Sequence, residues 1–328
     1  MRFVSQGPWG LVRGSRASVK TGCIALVCAV LTSIALAQTS DVRVSITPRI
    51  PTRLDARALP SGLIRSDVNR VFIPTTVTDS YGRPMKGLRK QDFKVWEDGV
   101  EQYLSEFFIE DGPISVGVIL DISGSVKNKL AQAQRAVGEF LRLSARGDEF
   151  FLVTFKDQPE LVHGFTTNPD DIEADFAVAQ PSGWTALYDA IVLGINHMKR
   201  ASLNRRVLLI LSDGADNNSR YSESEIRSLV REANVRIFSI SMQSHTPILD
   251  KLANESGGRV YQVHDLDNLP EAAAALSAEA HAEYVLGFTP PLRERDGKYH
   301  SVKVEVPQYA GEQPLHVSWR RGYYGPVE

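Results

Sequence analysis

From Ile114 onward, short apolar runs alternate with stretches in which apolar residues recur every three or four positions. The runs 114–120, 150–155, 206–211, 235–241 and 259–263 show little polar alternation, as strands buried on both faces require. Between them Val126, Leu130, Ala133, Val137 and Leu141 mark one helical face, and 186–199, 222–234, 246–255 and 267–280 carry similar periodicity. Strands and helices alternating in this way predict a doubly wound α/β domain with a mainly parallel sheet over 113–280. Ser222, followed three residues later by Glu225, reads as a capping box opening one of its helices.

On either side the period changes to that of β-structure. Val71 to Thr78, Phe93 to Glu97 and Val100 to Ile109 read as three strands, with turns at 79–84 and at Asp98-Gly99. Glu283 to Thr289, Tyr299 to Val306 with clean alternation, and Leu315 to Arg320 read as three more, the first two separated by the turn Arg295-Asp296-Gly297. Neither set makes a stable core alone. The economical arrangement is a smaller β-sandwich built from both flanks, 68–112 and 281–328, with the α/β domain inserted in it; two separate small sheets on the α/β core are the rival.

The first 67 residues have neither period. Before Thr21 the only charges are Arg2, Arg13, Arg16 and Lys20; Cys23 to Leu36 is apolar, and Ala35-Leu-Ala37 precedes Gln38. A basic head, a short apolar middle and a small-x-small end make a secretory signal peptide over 1–37. The apolar stretch is shorter than the roughly 20 residues of a spanning helix, so no lasting membrane span is expected after cleavage. Residues 38–67, dotted with arginine and with Pro48, Pro51 and Pro60, read as a linker or flexible arm.

Composition is that of a globular protein, 43% hydrophobic and 23% charged over 328 residues. Taking four basic residues from 37 leaves 33 against 39 acidic ones in the mature chain, a net charge of about −6 that disfavours nucleic acid as a partner. Both cysteines, Cys23 and Cys28, lie in the segment expected to be removed, which excludes zinc-thiolate sites, disulfides and cysteine nucleophiles from the mature protein. The seven histidines include no H-x-x-x-H pair.

The candidate chemistry lies where apolar runs stop. The run from Ile114 ends in Asp121-Ile-Ser123-Gly-Ser125, three oxygen-bearing side chains at alternate positions, with Gly124 allowing a sharp turn. Gly183-Trp-Thr185 places a hydroxyl in a glycine turn just before a helix, and the run from Val207 ends in Asp213-Gly214. Ligands of doubly wound sheets collect at the carboxyl ends of strands, so the three segments meet at one edge. Hydroxyl and carboxylate oxygens suit a hard cation. Taken alone, Asp121-x-Ser123-x-Ser125 is equally a helix cap.

Together, Asp121, Ser123, Ser125, Thr185 and Asp213 resemble the metal-ion-dependent adhesion site of von Willebrand factor type A domains, Rossmann-like domains that would cover about 113–280. The flanks, with 77–99 and the closing Gly322-Tyr-Tyr, resemble the exported bacterial VWFA-related acidobacterial domain family. The first resemblance implies that Mg2+ or Mn2+ is held directly by Ser123, Ser125 and sometimes Thr185, and through bound waters by Asp121 and Asp213. Hydroxyl ligands would leave the ion electrophilic enough to take a carboxylate from a protein partner. The implied function is a non-enzymatic adhesion-type binding module, exported to the periplasm, the cell surface or the medium.

Two other readings stay open. One is a structural assembly protein with a vestigial metal site. The other is a metal-dependent phosphoesterase, which would use a strand-end aspartate as nucleophile. Such enzymes place a second carboxylate two residues later, where this chain has Ser123. Asp189 and Asp216 are read as surface or helix-capping residues, and Trp184 as rim or packing.

Overall fold

The apolar runs form the middle of a six-stranded sheet because each is flanked by helices on both faces. The computed structural model describes residues 70–213, 215–242, 246–290, 297–307 and 314–326. The expected signal segment and arm, Gly214, and Arg295 and Asp296 of the expected turn lie outside the described residues. In chain order the elements are β1 (Val71–Thr78), β2 (Lys94–Glu97), β3 (Val100–Gln102), β4 (Leu104–Glu110), β5 (Ser115–Asp121), α1 (Leu130–Arg142), β6 (Glu149–Phe155) and β7 (Pro159–Thr166). There follow α2 (Pro169–Ala177), α3 (Leu187–Met198), β8 (Arg206–Ser212), α4 (Glu223–Glu232), β9 (Arg236–Met242), α5 (Pro247–Ser256), β10 (Val260–Val263) and α6 (Leu269–His281). The chain closes with β11 (Glu283–Phe288), β12 (Tyr299–Glu305), β13 (His316–Trp319) and β14 (Gly322–Tyr324).

The large sheet has the order β10-β9-β8-β5-β6-β7, parallel throughout except for β7, which runs antiparallel to β6 at one edge. Val116, Val118 and Leu120 of β5 face one core with residues of α1, α2 and α6, while Ile119 faces the other with residues of α3, α4 and α5. The fold is the doubly wound α/β class expected. Ser222 and Glu225 form the capping box of α4.

Three details differ from the sequence reading. The helix expected from Val126 starts at Leu130, because Gly124–Val126 forms a single 3-10 turn after the strand. The edge strand β7 and the short α2 were not anticipated: β7 is only half-buried, and α2 is dominated by Asp and Glu. The single strand expected over 100–109 is two, β3 and β4, which part at Tyr103 and join different sheets.

Those sheets mix the flanks. One has the order β13-β1-β11-β4 and the other β14-β12-β2-β3, with antiparallel neighbours throughout. Ile73, Phe93, Val95, Leu104, Tyr284, Leu286, Val302 and Val304 form one shared apolar core between them, the β-sandwich expected from neither flank being self-sufficient. At the β2–β3 hairpin, Asp98 and Gly99 both have positive φ, as the two-residue turn between twisted strands demands.

Candidate metal centre

All five oxygen-bearing residues lie at or beyond the carboxyl ends of central strands. Asp121 is the last residue of β5, fully buried, and its Oδ1 accepts the Ser123 N–H at 2.8 Å. That bond curls the chain back over the strand end and sets Ser123 and Ser125 on one side. Asp121 Oδ2 accepts the Ser212 hydroxyl at 2.7 Å, so the ends of neighbouring β5 and β8 are tied through this carboxylate. Asp213 follows Ser212 directly, and its Oδ1 accepts the Ser125 hydroxyl at 2.8 Å. The hydroxyls of Ser123 and Ser125 lie 3.0 Å apart.

Thr185 is brought in by backbone. The Gly124 N–H donates to Gly183 O at 3.1 Å, and Ser182 N–H to Ile122 O at 3.0 Å, lacing its loop onto the β5 loop. Asn217 clamps it from the other side, accepting the Thr185 N–H at 2.8 Å through its side chain and donating its own N–H to Thr185 O at 3.0 Å. Thr185 itself is buried. Gly183 has φ +78°, and a Cβ there would come within 2.3 Å of Asp157 Oδ2, the carboxylate that also accepts the Trp184 N–H. Gly183→Ala is therefore expected to cost about 1–3 kcal/mol. Urea unfolding measures it, and a loss within a few tenths of a kcal/mol would show that the loop absorbs the change.

Burial pushes the Asp121 carboxyl above the usual range, and the negative charge of Asp213 adds to this, while hydrogen bonds from Ser123 and Ser212 oppose it. A nearby cation would relieve that burden. The donor set fits one. Neighbouring ligands of an octahedral magnesium ion lie about 3.0 Å apart when each is roughly 2.1 Å from the metal, the separation of the Ser123 and Ser125 hydroxyls. Among the described residues no group of three or more His, Cys, Asp or Glu forms an alternative cluster.

Asp216 Oδ1 accepts the Tyr188 N–H at 3.2 Å in the first turn of α3, the capping one of the two roles read for it, surface or helix cap. Asp189 is buried rather than superficial; its carboxylate accepts the backbone N–H groups of Arg220 at 2.9 Å and Tyr221 at 3.3 Å. Trp184 is 63% exposed beside Thr185, on the rim of the centre.

Sequence reasoning missed Ser212, Asn217, Asp157 and Lys129. Asp157 carried a signal, an aspartate just past the apolar run 150–155. Lys129 carried none, yet its ammonium lies 2.6 Å from Asp213 Oδ2.

Residues 116–215 match the von Willebrand factor type A domain. The type A segment so matched contains all five residues of the candidate centre. A protein of Borreliella burgdorferi is 23% identical over 182 residues, covering 45% of this chain and 53% of that protein, so the chain spans about half the length of the curated relative it matches. Proximal thread matrix protein 1 from the mussel byssus is similar with a TM-score of 0.49 and 18% identity, over 56% of this chain and 51% of that one; it has also been solved with a zinc-occupied MIDAS motif. A von Willebrand factor type A protein from Catenulispora acidiphila has a TM-score of 0.48 and 13% identity, over 69% of this chain and 74% of that one.

Proposed function

We propose that the protein is an exported module that holds a divalent cation, Mg2+ or Mn2+, at Asp121, Ser123, Ser125, Thr185 and Asp213, and uses it to grip a carboxylate of a protein partner. The observation that carries this reading is the 3.0 Å spacing of Ser123 Oγ and Ser125 Oγ, the edge length of a small cation's coordination shell, with Asp213 Oδ1 hydrogen-bonded to Ser125 at 2.8 Å beside them. The hydroxyls would bind the ion directly, and the two carboxylates would balance its charge while leaving it able to accept an anionic ligand. Trp184 offers a flat apolar surface at the rim.

Export is supported by the basic and apolar order of residues 1–37; among the described residues no helix is long and apolar enough to cross a membrane. Phosphoesterases with a strand-end aspartate nucleophile usually place a second carboxylate two residues later, and Ser123 stands there. Nucleic acid is a poor partner for a mature chain of net negative charge.

The test is calorimetric titration of Mg2+ and Mn2+ into chelator-treated protein and Asp213→Ala, with and without an acidic peptide pool. Saturable binding that the variant loses and the peptides strengthen is expected. A folded protein that binds no metal at millimolar concentration leaves only the structural reading. Phosphoester turnover lost in Asp121→Asn would replace the binding module with an enzyme.

A further inference from the structure

We infer that Lys129 is a built-in counter-ion that occupies Asp213 when the centre is empty and competes with the metal for it; this rests on the metal reading above. The Lys129 ammonium lies 2.6 Å from Asp213 Oδ2, with the lysine side chain 17% and the aspartate side chain 2% exposed. Asp213 Oδ1 is taken by Ser125, so both oxygens of the carboxylate are engaged. Asp121, a strand away, accepts from neutral donors, among them Ser123 N–H and Ser212 Oγ–H.

The charges at this strand edge decide the argument. Two carboxylates carry two negative charges, and one ammonium leaves the pair short by one. A divalent cation balances both. It also repels an ammonium held a few ångströms away in a water-poor setting, where Coulomb terms are several times larger than in bulk water. Metal entry therefore requires Lys129 to leave. Its route is short, because the residue precedes the first turn of α1 at the surface and its flexible four-carbon stem can carry the charge into solvent while staying packed. Lys127, two residues earlier, is exposed and supplies a matched control.

Two consequences distinguish Lys129 from an ordinary ion pair. Metal affinity is set below what the oxygen ligands alone would give, so the centre loads only where divalent ions are abundant. The metal-free protein also keeps a charge-compensated, folded strand edge.

The experiment titrates Mn2+ into chelator-treated full chain, Lys129→Met and Lys127→Met, and records melting temperature in chelator and in saturating Mn2+. Lys129→Met is expected to bind Mn2+ at least about 10-fold more tightly than the unaltered protein. It should melt lower in chelator but no lower in saturating Mn2+, and Lys127→Met should match the unaltered protein in both measurements. Equal affinity in the parent and Lys129→Met, or an equal gain in Lys127→Met, would overturn the competition and leave the metal reading standing. No Mn2+ binding by the parent or by either folded variant would overturn both.

Discussion

Glu279→Ala is expected to lower the unfolding free energy by about 3–5 kcal/mol, the range for removing one member of a buried, hydrogen-bonded charge network. Glu279 lies in α6 with no exposure. Its Oε1 accepts the Thr76 hydroxyl of β1 at 3.1 Å, its Oε2 accepts the Tyr261 hydroxyl of β10 at 2.6 Å, and the Arg259 guanidinium approaches to 3.7 Å. Arg259 in turn donates to Thr78 Oγ1 at 3.1 Å. The carboxylate thus joins the last helix of the α/β domain to the sandwich.

Burial pushes the Tyr261 phenol up, and the negative charge of Glu279 pushes it further, so this hydroxyl stays protonated and donating. Alanine would strand two buried hydroxyls and leave Arg259 short of its counter-charge. Glu279→Gln, which keeps an acceptor for one hydroxyl, should lose less. Urea denaturation of the three proteins orders them, and a loss below about 1 kcal/mol for alanine would show that water replaces the carboxylate at this junction.

Asp121→Asn is expected to move binding and stability in opposite directions. Mn2+ affinity should fall by about 10–100-fold, the usual loss when a group acting on the metal through water is neutralised. In chelator the same variant should melt higher than the parent. The reason is that burial raises the pKa of Asp121, which means that folding favours its neutral form. A carboxyl whose folded value lies above its unfolded one contributes stability below the ordinary carboxylate range, and that contribution is lost as pH rises through the folded value. The parent in chelator should therefore lose stability across that window, while the asparagine variant should not.

The amide is close in shape to the carboxylate, so its oxygen can still accept the Ser123 N–H. Unchanged Mn2+ affinity would remove Asp121 from the metal centre. A lower melting temperature in chelator would show that its charge is already balanced in the folded protein.

The α/β layers and most element positions were legible in the chain because buried parallel strands and amphipathic helices leave strong periodic signals. The run from Ile114 to Leu120 has one apolar composition for both faces, and both faces are covered. Elements that depend on position in a sheet were less legible. Edge strand β7 has no fully buried position, its residues alternating only between half-buried and exposed, so no apolar run marks it, and the parting of β3 from β4 at Tyr103 answers to two sheets rather than to local propensity. The order of the sandwich strands is likewise a matter of non-local pairing: β1 lies between β11 and β13, both more than 200 positions away in the chain.

The oxygen-bearing residues of the candidate centre were readable for a different reason. Each closes an apolar run or sits in a glycine turn, so its place at the strand edge follows from local pattern and the rule that crossovers put strand ends together. That logic put Asp121, Ser123, Ser125 and Asp213 at one strand edge, where hydrogen bonds now join them, and placed the Thr185 turn beside them as an expectation. Tertiary structure alone decided what else touches them. Lys129 and Asp213 are separated by 84 positions and meet because the turn after β5 swings over the end of β8. A flexible, charged side chain carries no period, so only the packed arrangement of its surroundings shows which carboxylate it serves.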